Sequence, residues 1–386
     1  LLIINCFVSL PLQMMFLKQI SVVNYKNIPS QTYAFSPTIN CFVGDNGVGK
    51  TNLLDAIYHL GMAKSYFTTS AVQSVRHGEE FYLIEGQFRQ EEREEQIVCS
   101  LKKGQKKVMK HNGKAYERLA DHIGKYPMVL ISPSDRDLIV EGSETRRKFL
   151  DSVISQTDRA YLELLLRYNR TLLQRNTLLK QMTEGGVFSL ETLHIYDEQL
   201  APLGQHIYEK RRAFMEEFLP IFSEQYAYIS GGKERVSLHY DSSLHQSDLA
   251  TQLVENTERD RSAQYTTAGI HKDDLLFEIE GYPMKKYGSQ GQQKSFLIAL
   301  KLSQFEVLKQ SLGITPIVLL DDIFDKLDDT RVTQLVQLVT QKHFGQLFIT
   351  DTHSQRTEDV VKQTGLAYEM IQIGASRTGS KSHKSR

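Results

Sequence analysis

The chain has 386 residues, more than one average domain, so we expect two structural units. Hydrophobic residues make up 40% and charged residues 24%, which is ordinary for a globular protein and excludes a largely disordered chain. Lysine plus arginine equals aspartate plus glutamate at 46 each, so any affinity for nucleic acid must come from local basic patches. The three cysteines, Cys6, Cys41 and Cys99, lack metal-ligand spacing, and we expect reduced thiols in a cytosolic protein.

The first 14 residues are apolar, but they lack a basic start and a cleavage site and are too short to span a bilayer. We expect a non-native or disordered extension there, and no membrane-spanning segment elsewhere. From residue 15 to about 145 the pattern is rich in strands, with one early helix. The pair Asn112-Gly113 within this region suits a tight hairpin turn.

Near Glu141 the pattern changes to that of long helices. Apolar residues at helical spacing from Phe149 to Leu179 predict one long amphipathic helix, which Glu184-Gly185-Gly186 ends. A second long helix is predicted from about Leu190 to Phe222. Two such helices favour an antiparallel pair, and residues 146–263 are therefore predicted to form an inserted helical arm.

After the arm, strands return and a helix is predicted from about Gln292 to Leu312, ending at Gly313. The continuous apolar runs ITPIVLLDD and QLFITD are typical of buried parallel strands, separated here by a predicted helix at about 330–343. The pattern indicates a doubly wound α/β fold. The basic, polar tail at 376–386 is expected to be disordered.

A phosphate-binding motif follows the first apolar strand. The pattern GxxxxGK[ST] lies between a predicted strand and a predicted helix, which is the context it requires, and Asn52 follows it. Backbone N–H groups and the helix N-terminus would surround phosphates, Lys50 would reach the outer phosphates, and Thr51 would bind Mg²⁺. The alternative is a glycine-rich turn with a solvated lysine. The residues of the motif are Gly44, Asp45, Asn46, Gly47, Val48, Gly49, Lys50 and Thr51.

Two carboxylates end the apolar strand that starts at Ile317. In a Walker B strand of this kind Asp321 would hold the Mg²⁺ shell, and Asp322 would orient or deprotonate the attacking water. Paired acids can also simply close a strand or cap a helix. The phosphate loop upstream favours the functional interpretation.

A third segment precedes the helix that leads into this strand, and it consists of Ser289, Gln290, Gly291 and Gln292. Serine and glycine at a helix start present a hydroxyl and N–H groups to an anion, although an N-cap without a ligand uses the same residues. The order of segments resembles the signature of ABC-type ATPases. That resemblance implies contact with the γ-phosphate held by a second copy, so that ATP joins a homodimer.

Two further segments follow from the ABC-type resemblance. Asp325 and Asp328 lie where such ATPases carry a D-loop, and Thr350-Asp351 ends the next strand where they carry a switch residue. Many members have histidine at the position of Asp351. A plain helix start fits that segment nearly as well.

The chain resembles the RecF family of bacterial recombination mediators from Met15 to the end of the head. Five stretches carry the resemblance: FLKQISVVNYKNI, GDNGVGKTNLLDAIY, SPSDRDLIVEGSETRRKFLD, GIHKDDL, and YGSQGQQKSFLIALKLSQFE with LLDDIFDKLD. This chain departs from the usual pattern of the family at five positions, which are Ser143, Ile270, Lys272, Lys294 and Asp325.

The RecF resemblance implies an α/β fold, an ABC-type P-loop ATPase head split in sequence into residues 15–145 and 264–375, with the α-helical arm between them. It implies the cofactors ATP and Mg²⁺, a homodimer with ATP, and a weak DNA-stimulated ATPase whose turnover resets the DNA clamp. The implied target is single-stranded and double-stranded DNA at gap junctions. RecR and RecO are the implied partners in loading RecA.

Basic clusters are the candidates for DNA contact, because lysines and arginines can neutralise phosphates without reading sequence. Solvated charged faces are the equally good alternative. The predicted hairpin carries Lys102, Lys103, Lys106, Lys107, Lys110 and Lys114, and the arm carries Arg146, Arg147, Arg167, Arg170 and Arg175.

Other classes share the nucleotide motifs. A transporter ATPase subunit should lack so long a two-helix arm and would need a membrane partner. A chromosome protein of the SMC or Rad50 kind would carry a much longer coiled coil. An ATP-gated nuclease would need a His-rich or acidic metal cluster, and the sequence outside the nucleotide motifs offers none.

Overall fold

The computed structural model describes residues 14–183, 189–322 and 345–374. Residues 1–13 of the predicted extension, the predicted helix at 330–343 and the predicted tail at 376–386 lie outside the described residues. The chain divides into two compact units: Leu1–Pro133 with Gly313–Arg386, and Ser134–Leu312. In the described part of the chain, no helix combines the length and the apolar character needed to cross a membrane.

The strands of the described residues are short to medium in length. In chain order they are β1 (Met15–Tyr25), β2 (Ile28–Ala34), β3 (Ile39–Val43), β4 (Phe81–Gln90), β5 (Arg93–Lys102), β6 (Val108–His111), β7 (Lys114–Ala115), β8 (Met128–Ile131), β9 (Val236–Asp241), β10 (Asp274–Ile279), β11 (Tyr282–Pro283), β12 (Ile317–Asp321), β13 (Leu347–Asp351) and β14 (Tyr368–Gln372).

The helices of the described residues are longest in the second unit. In chain order they are α1 (Lys50–Met62), α2 (Asp137–Val140), α3 (Ser143–Thr157), α4 (Arg159–Thr183), α5 (Leu190–Ser230), α6 (Leu249–Glu255), α7 (Thr257–Ala263), α8 (Met284–Tyr287), α9 (Gln290–Leu312) and α10 (Ser354–Lys362).

A parallel sheet forms the centre of the first unit, with its strands in the order β14-β3-β13-β12-β8. Every residue of β3, β12 and β13 is buried. Continuous apolar strands of this kind need cover on both faces of the sheet, as parallel sheets have. The prediction that the two apolar runs are buried parallel strands is confirmed.

An antiparallel sheet in the order β2-β1-β4-β5-β6-β7 completes the first unit. Its last hairpin turns at Asn112 and Gly113, whose φ angles are 49° and 79°, while His111 pairs with Lys114. Positive φ at both central residues is the geometry of the two-residue hairpin turn that an Asn-Gly pair favours. The predicted hairpin is confirmed.

Helix α1 packs against strands of both sheets. Eleven of its residues are buried, including Leu53, Leu54 and Ile57, and these join one hydrophobic core with side chains from both sheets. Because α1 begins directly after the phosphate-binding motif, this core fixes the position of the loop.

The second unit is mainly helical, and its first long helix differs from the prediction. The sequence predicts one helix from Phe149 to Leu179, whereas the structure has α3 and α4 with a break at Asp158. The Asp158 carboxylate accepts a hydrogen bond from the backbone N–H of Tyr161 at 2.9 Å. An N-cap of this kind begins a new helix without disturbing the apolar spacing, so periodicity alone could not detect it.

Helices α4 and α5 lie antiparallel, as predicted. Arg175 near the end of α4 bonds to Asp197 near the start of α5, and Arg211 further along α5 bonds to Tyr161 at the start of α4. Helix α5 extends to Ser230, beyond the predicted end at about Phe222.

The second unit also contains α9 and a small sheet in the order β11-β10-β9, so it is larger than the predicted arm. The predicted boundaries of head and arm, 15–145, 146–263 and 264–375, stay predictions.

Candidate nucleotide-binding site

The candidate site lies in the first unit, at the carboxyl ends of β3, β12 and β13. This is the edge at which open α/β sheets bind ligands. A pocket of about 200 Å³ lies there. Its lining comprises Asn46, Gly47, Gly49, Lys50, Thr51, Asn52, Pro133, Asp321, Asp322 and Thr350. Most of the predicted nucleotide-binding residues thus line one cavity.

The loop between β3 and α1 requires glycine at two of its positions. Gly44 and Gly49 have φ angles of 150° and 112°, in the region that favours glycine. A Cβ on Gly44 would lie 2.5 Å from the carbonyl oxygen of Ile373, and one on Gly49 would lie 2.8 Å from the Asn27 amide oxygen. These contacts account for the glycine spacing of the motif.

Asn27, in the turn between β1 and β2, stabilises the loop between β3 and α1 through hydrogen bonds. Its amide nitrogen donates to the Gly47 carbonyl at 3.2 Å, and its amide oxygen accepts from Asn52 at 2.8 Å. Nothing in the sequence identifies Asn27, because a turn asparagine upstream of the motif carries no recognisable signal.

Lys50 begins α1, and its side chain is buried beneath the loop. The Lys50 Nζ atom donates to the carbonyl oxygens of Gly44 at 2.7 Å and Asp45 at 2.9 Å. Its ammonium therefore lies at the curve of the loop, where the charge can meet a bound phosphate.

Thr51 and Asp321 both line the pocket and contact each other. The Thr51 hydroxyl donates to Asp321 Oδ1 at 2.8 Å, and the Thr350 hydroxyl donates to the same oxygen at 2.8 Å. Burial raises the pKa of the Asp321 carboxyl, although the two hydroxyl bonds act against that rise. Hydroxyl and carboxylate oxygens are the ligands that Mg²⁺ prefers, so this pair fits a magnesium ion.

Asp322 lines the same pocket. It has a φ of 48°, a left-handed conformation that aspartate tolerates better than most residues. Its backbone N–H donates to the Thr350 hydroxyl at 2.9 Å. Thr350 therefore holds the backbone of one acid and the side chain of the other.

At the end of β13 the structure separates the two residues considered for a switch. Thr350 lines the pocket. Asp351 instead accepts from the backbone N–H groups of Thr352 and His353 and from the Thr357 hydroxyl, just before and within α10. Asp351 thus stabilises a helix start, in agreement with the plain interpretation of this segment.

A buried polar cluster anchors the far side of α1. Asp55 accepts from the Tyr25 hydroxyl at 2.6 Å and from the Ser65 hydroxyl at 2.7 Å, and it forms a 2.6 Å ion pair with Lys26. Asp55 is fully buried. No sequence pattern predicts this cluster, since its members come from separate elements.

The predicted signature residues lie in the second unit, where α9 begins. The Ser289 hydroxyl accepts from the Gln292 backbone N–H at 3.2 Å, and the Gln292 side-chain oxygen accepts from the Ser289 N–H at 2.8 Å. This reciprocal arrangement is a capping box. Gln290 and Gly291 form the first turn of α9. The predicted D-loop residues Asp325 and Asp328 lie outside the described residues.

The candidate lysines for DNA contact differ in how exposed they are. Lys102, Lys106 and Lys110 are exposed on β5, β6 and the turn between them, and Lys103 pairs loosely with Glu80 at 3.7 Å. Lys107 donates to the Ala63 carbonyl, and burial lowers its pKa.

The arginines on the arm are mostly engaged within the second unit. Arg146 forms two bonds with Asp274, at 2.7 and 2.9 Å, and Arg147 donates to the Asp273 carbonyl at 2.6 Å. Arg175 is fully buried between Asp197 and Asp260. Arg167 and Arg170 are exposed.

The buried parallel sheet, the glycine loop before α1 and the acidic end of β12 define the class of this protein: an ABC-type P-loop ATPase head, split in sequence, with an inserted helical arm. The fold is similar to a solved Smc head domain from Pyrococcus furiosus, with a TM-score of 0.52 at 16% identity over 91% of this chain and 92% of that chain. The sequence profile described as RecF/RecN/SMC N terminal domain matches residues 16–373.

The chain belongs to the RecF family of DNA replication and repair proteins. It is 57% identical to the DNA replication and repair protein RecF of Flavobacterium johnsoniae over 93% of this chain and 100% of that protein. It is 46% identical to the RecF of Parabacteroides distasonis over 93% of this chain and 97% of that protein. Its fold matches a solved structure of the recombination mediator protein RecF-ATP in the RecFOR pathway, with a TM-score of 0.82, 34% identity, and 88% and 93% of the two chains covered.

Proposed function

We propose that this chain is an ATP-dependent, dimerising DNA-binding protein of recombinational DNA repair and replication. One observation carries the proposal: the Thr51 hydroxyl and the Asp321 carboxylate, 270 positions apart in the chain, are 2.8 Å apart beside the glycine loop. A loop for phosphates and an oxygen pair for Mg²⁺ in one pocket support the binding of a nucleoside triphosphate with its metal. The match to a solved RecF-ATP structure supports ATP as that nucleotide.

In the proposed site, the loop N–H groups from Gly44 to Asn52 and the start of α1 hold the phosphates. Lys50 neutralises the outer phosphates, Thr51 and Asp321 bind Mg²⁺, and Asp322 orients or deprotonates the attacking water. Mg²⁺ offsets charge on the β- and γ-phosphates when it is bound. Hydrolysis is weak and stimulated by DNA, and it resets the clamp.

The dimer is proposed to form around the nucleotide. Ser289, Gln290, Gly291 and Gln292 of one copy contact the γ-phosphate held by Lys50 of the second copy, and Asp325 and Asp328 act as the D-loop. A helix start with a hydroxyl and backbone N–H groups is a suitable partner for a phosphate. ATP therefore acts as part of the interface.

The proposed target is single-stranded and double-stranded DNA at gap junctions, with RecR and RecO as partners in loading RecA in the cytoplasm. The exposed lysines of the hairpin, Lys102, Lys106, Lys110 and Lys114, are the best placed of the candidate contacts. Lys103, Lys107, Arg146 and Arg147 remain weaker candidates, since each is engaged within its own unit. Membership of the RecF family argues against a transporter subunit.

The test measures molecular mass and DNA binding with and without ATP and Mg²⁺. Lys50→Ala and Ser289→Arg are compared with the wild type, and Ser223→Arg on the exposed face of α5 is the matched control for added charge and bulk. We expect ATP to drive dimerisation and salt-sensitive DNA binding in the wild type and in the Ser223 variant. Both site variants should remain monomeric. A wild type that stays monomeric and ignores DNA at saturating ATP would overturn the proposal.

A further inference from the structure

The last turns of the arm helix α5 pack directly on the first turns of α9. The rings of Phe222 and Phe296 have centroids 4.8 Å apart, and Tyr226 lies 6.2 Å from the same ring of Phe296. Phe222, Tyr226 and Phe296 are each at most 1% exposed. A buried aromatic contact of this kind transmits displacement, because close-packed side chains cannot yield independently.

A line of hydrogen bonds runs beside this aromatic contact and ends at Ser289. The Tyr226 hydroxyl donates to Glu234 Oε2 at 2.5 Å, and Gln292 Nε2 donates to Glu234 Oε1 at 3.0 Å. The Gln292 side-chain oxygen in turn accepts from the Ser289 N–H at 2.8 Å. Glu234 therefore connects α5 with the segment that begins α9.

Glu234 decides which way the Gln292 side-chain amide points. An ionised carboxylate only accepts hydrogen bonds, so the NH₂ group of Gln292 must face it. The Gln292 oxygen is then directed at the Ser289 N–H, which completes the capping box. Without an acceptor at position 234, the amide loses the contact that fixes its orientation, and the Ser289 segment loses part of its support.

We infer that Glu234 is a positioning residue that ties the arm helix α5 to the signature segment Ser289–Gln292. The inference rests on the proposed function, in which Ser289 completes the nucleotide site of a second copy. Glu234 touches no nucleotide itself. Its role is to hold Ser289 in the geometry that contacts the γ-phosphate. Because Glu234 also bonds to Tyr226 of α5, this geometry depends on the position of α5, and a displacement of the arm changes the stability of the ATP dimer.

The test compares Glu234→Ala with Glu234→Gln, Tyr226→Phe and the matched control Glu224→Ala, which removes an exposed glutamate from α5. Three quantities are measured: affinity of the monomer for a fluorescent ATP analogue, the protein concentration at half-dimerisation with ATP and Mg²⁺, and the stimulation of ATP turnover by duplex DNA. Melting temperatures report folding.

We expect Glu234→Ala to bind the analogue within about twofold of wild type, to need about tenfold more protein for half-dimerisation, and to lose DNA stimulation; loss of one charge-assisted hydrogen bond is of this size. Glu234→Gln should restore dimerisation, because its amide oxygen can still accept from Gln292 and its NH₂ group can face Tyr226. Tyr226→Phe should give a smaller shift in the same direction, and it decides the question if Glu234→Ala is poorly folded.

Different results would contradict the role of Glu234 and the proposed function. A wild type that does not dimerise with ATP contradicts the proposed function. A wild type that dimerises, with both Glu234→Ala and Tyr226→Phe equal to it in dimerisation and DNA stimulation, contradicts only the role of Glu234.

Discussion

The Thr51 hydroxyl donates a hydrogen bond to the Asp321 carboxylate at 2.8 Å. Thr51 lies in the first turn of α1, and Asp321 is the last residue of β12. Helix α1 is fixed by the core between the two sheets and β12 by its neighbours in the parallel sheet, so the two oxygens are held at this spacing by rigid elements. The pair is preorganised for a cation with a short ligand distance.

Removal of the Thr51 hydroxyl should abolish the magnesium-dependent part of nucleotide affinity. We expect Thr51→Val to bind ATP equally with and without Mg²⁺, and Thr51→Ser to behave as the wild type because it keeps the hydroxyl. Isothermal titration with ATP in the presence of Mg²⁺ or of EDTA measures the difference. A Thr51→Val protein that retains the full magnesium effect would show that the metal is held elsewhere.

The magnesium effect should weaken as the pH falls. Because burial raises the pKa of Asp321 above its ordinary 3.8, its proton is retained at a higher pH than usual. The metal binds the carboxylate, so affinity is complete above the raised pKa and falls as pH drops through it. Titrations with ATP over a pH series, with and without Mg²⁺, measure this, and Asp321→Asn is the control that reports the pH dependence of the nucleotide itself. Parallel pH profiles for the two proteins would contradict the assignment.

Asp322→Asn should separate dimerisation from hydrolysis. The change keeps the shape of the side chain but removes its basicity, and loss of a general base lowers rates by about 10² to 10⁴-fold. We expect ATP-driven dimers that persist, with turnover reduced in single-turnover assays. Asp359→Asn, at an exposed position on α10, is the control and should leave turnover unchanged. Unchanged turnover in Asp322→Asn would remove Asp322 from the catalytic role.

Two neighbouring arginines on α5 should differ sharply in their effect on stability. Arg211 is 1% exposed and bonds to Asp151 at 2.8 Å and Asp273 at 2.7 Å. Its loss would leave the buried Asp273 carboxylate without this ion pair, and breaking a buried pair destabilises proteins by about 3 to 5 kcal/mol. Arg212 has a 58% exposed side chain, and we expect its loss to change stability by less than about 0.5 kcal/mol. Denaturant unfolding of Arg211→Ala and Arg212→Ala tests this, and equal effects would contradict it.

The hairpin lysines should contribute to DNA binding through charge alone. Replacing Lys102, Lys106 and Lys110 together by alanine should reduce the slope of log affinity against log salt concentration by about 3, equally for different DNA sequences. Lys107→Ala should instead lower the melting temperature, since its side chain is tied to the Ala63 carbonyl. Fluorescence anisotropy over a salt series measures the slope. An unchanged slope in the triple variant would exclude this surface.

The parts of the structure that sequence could predict are those with local causes. The glycine loop, the buried strands β12 and β13, and the Asn112-Gly113 turn each depend on a few consecutive residues whose backbone or burial requirements are specific. The break at Asp158 could not be predicted from periodicity, because α3 and α4 keep similar apolar spacing on both sides of it.

The side-chain partners were less predictable for a physical reason. The sequence around Arg146 shows no partner for its charge, because the partner, Asp274, lies 128 positions away. Asn27 likewise reaches the phosphate loop from a turn between two strands. Such pairs depend on the tertiary fold, and a single sequence contains no periodicity that reveals them.

The strand order of the parallel sheet bears on how the chain is made. β3 and β8 both precede the helical insert in the chain, but in the sheet they are separated by β13 and β12, which are synthesised only after residue 312. The emerging polypeptide must therefore keep two apolar strands unpaired during synthesis of the whole helical insert. Such strands expose edges that invite aggregation. A chain truncated before β12 would lack the strands that pair with β3 and β8. Chaperone binding during translation is therefore expected at these two strands.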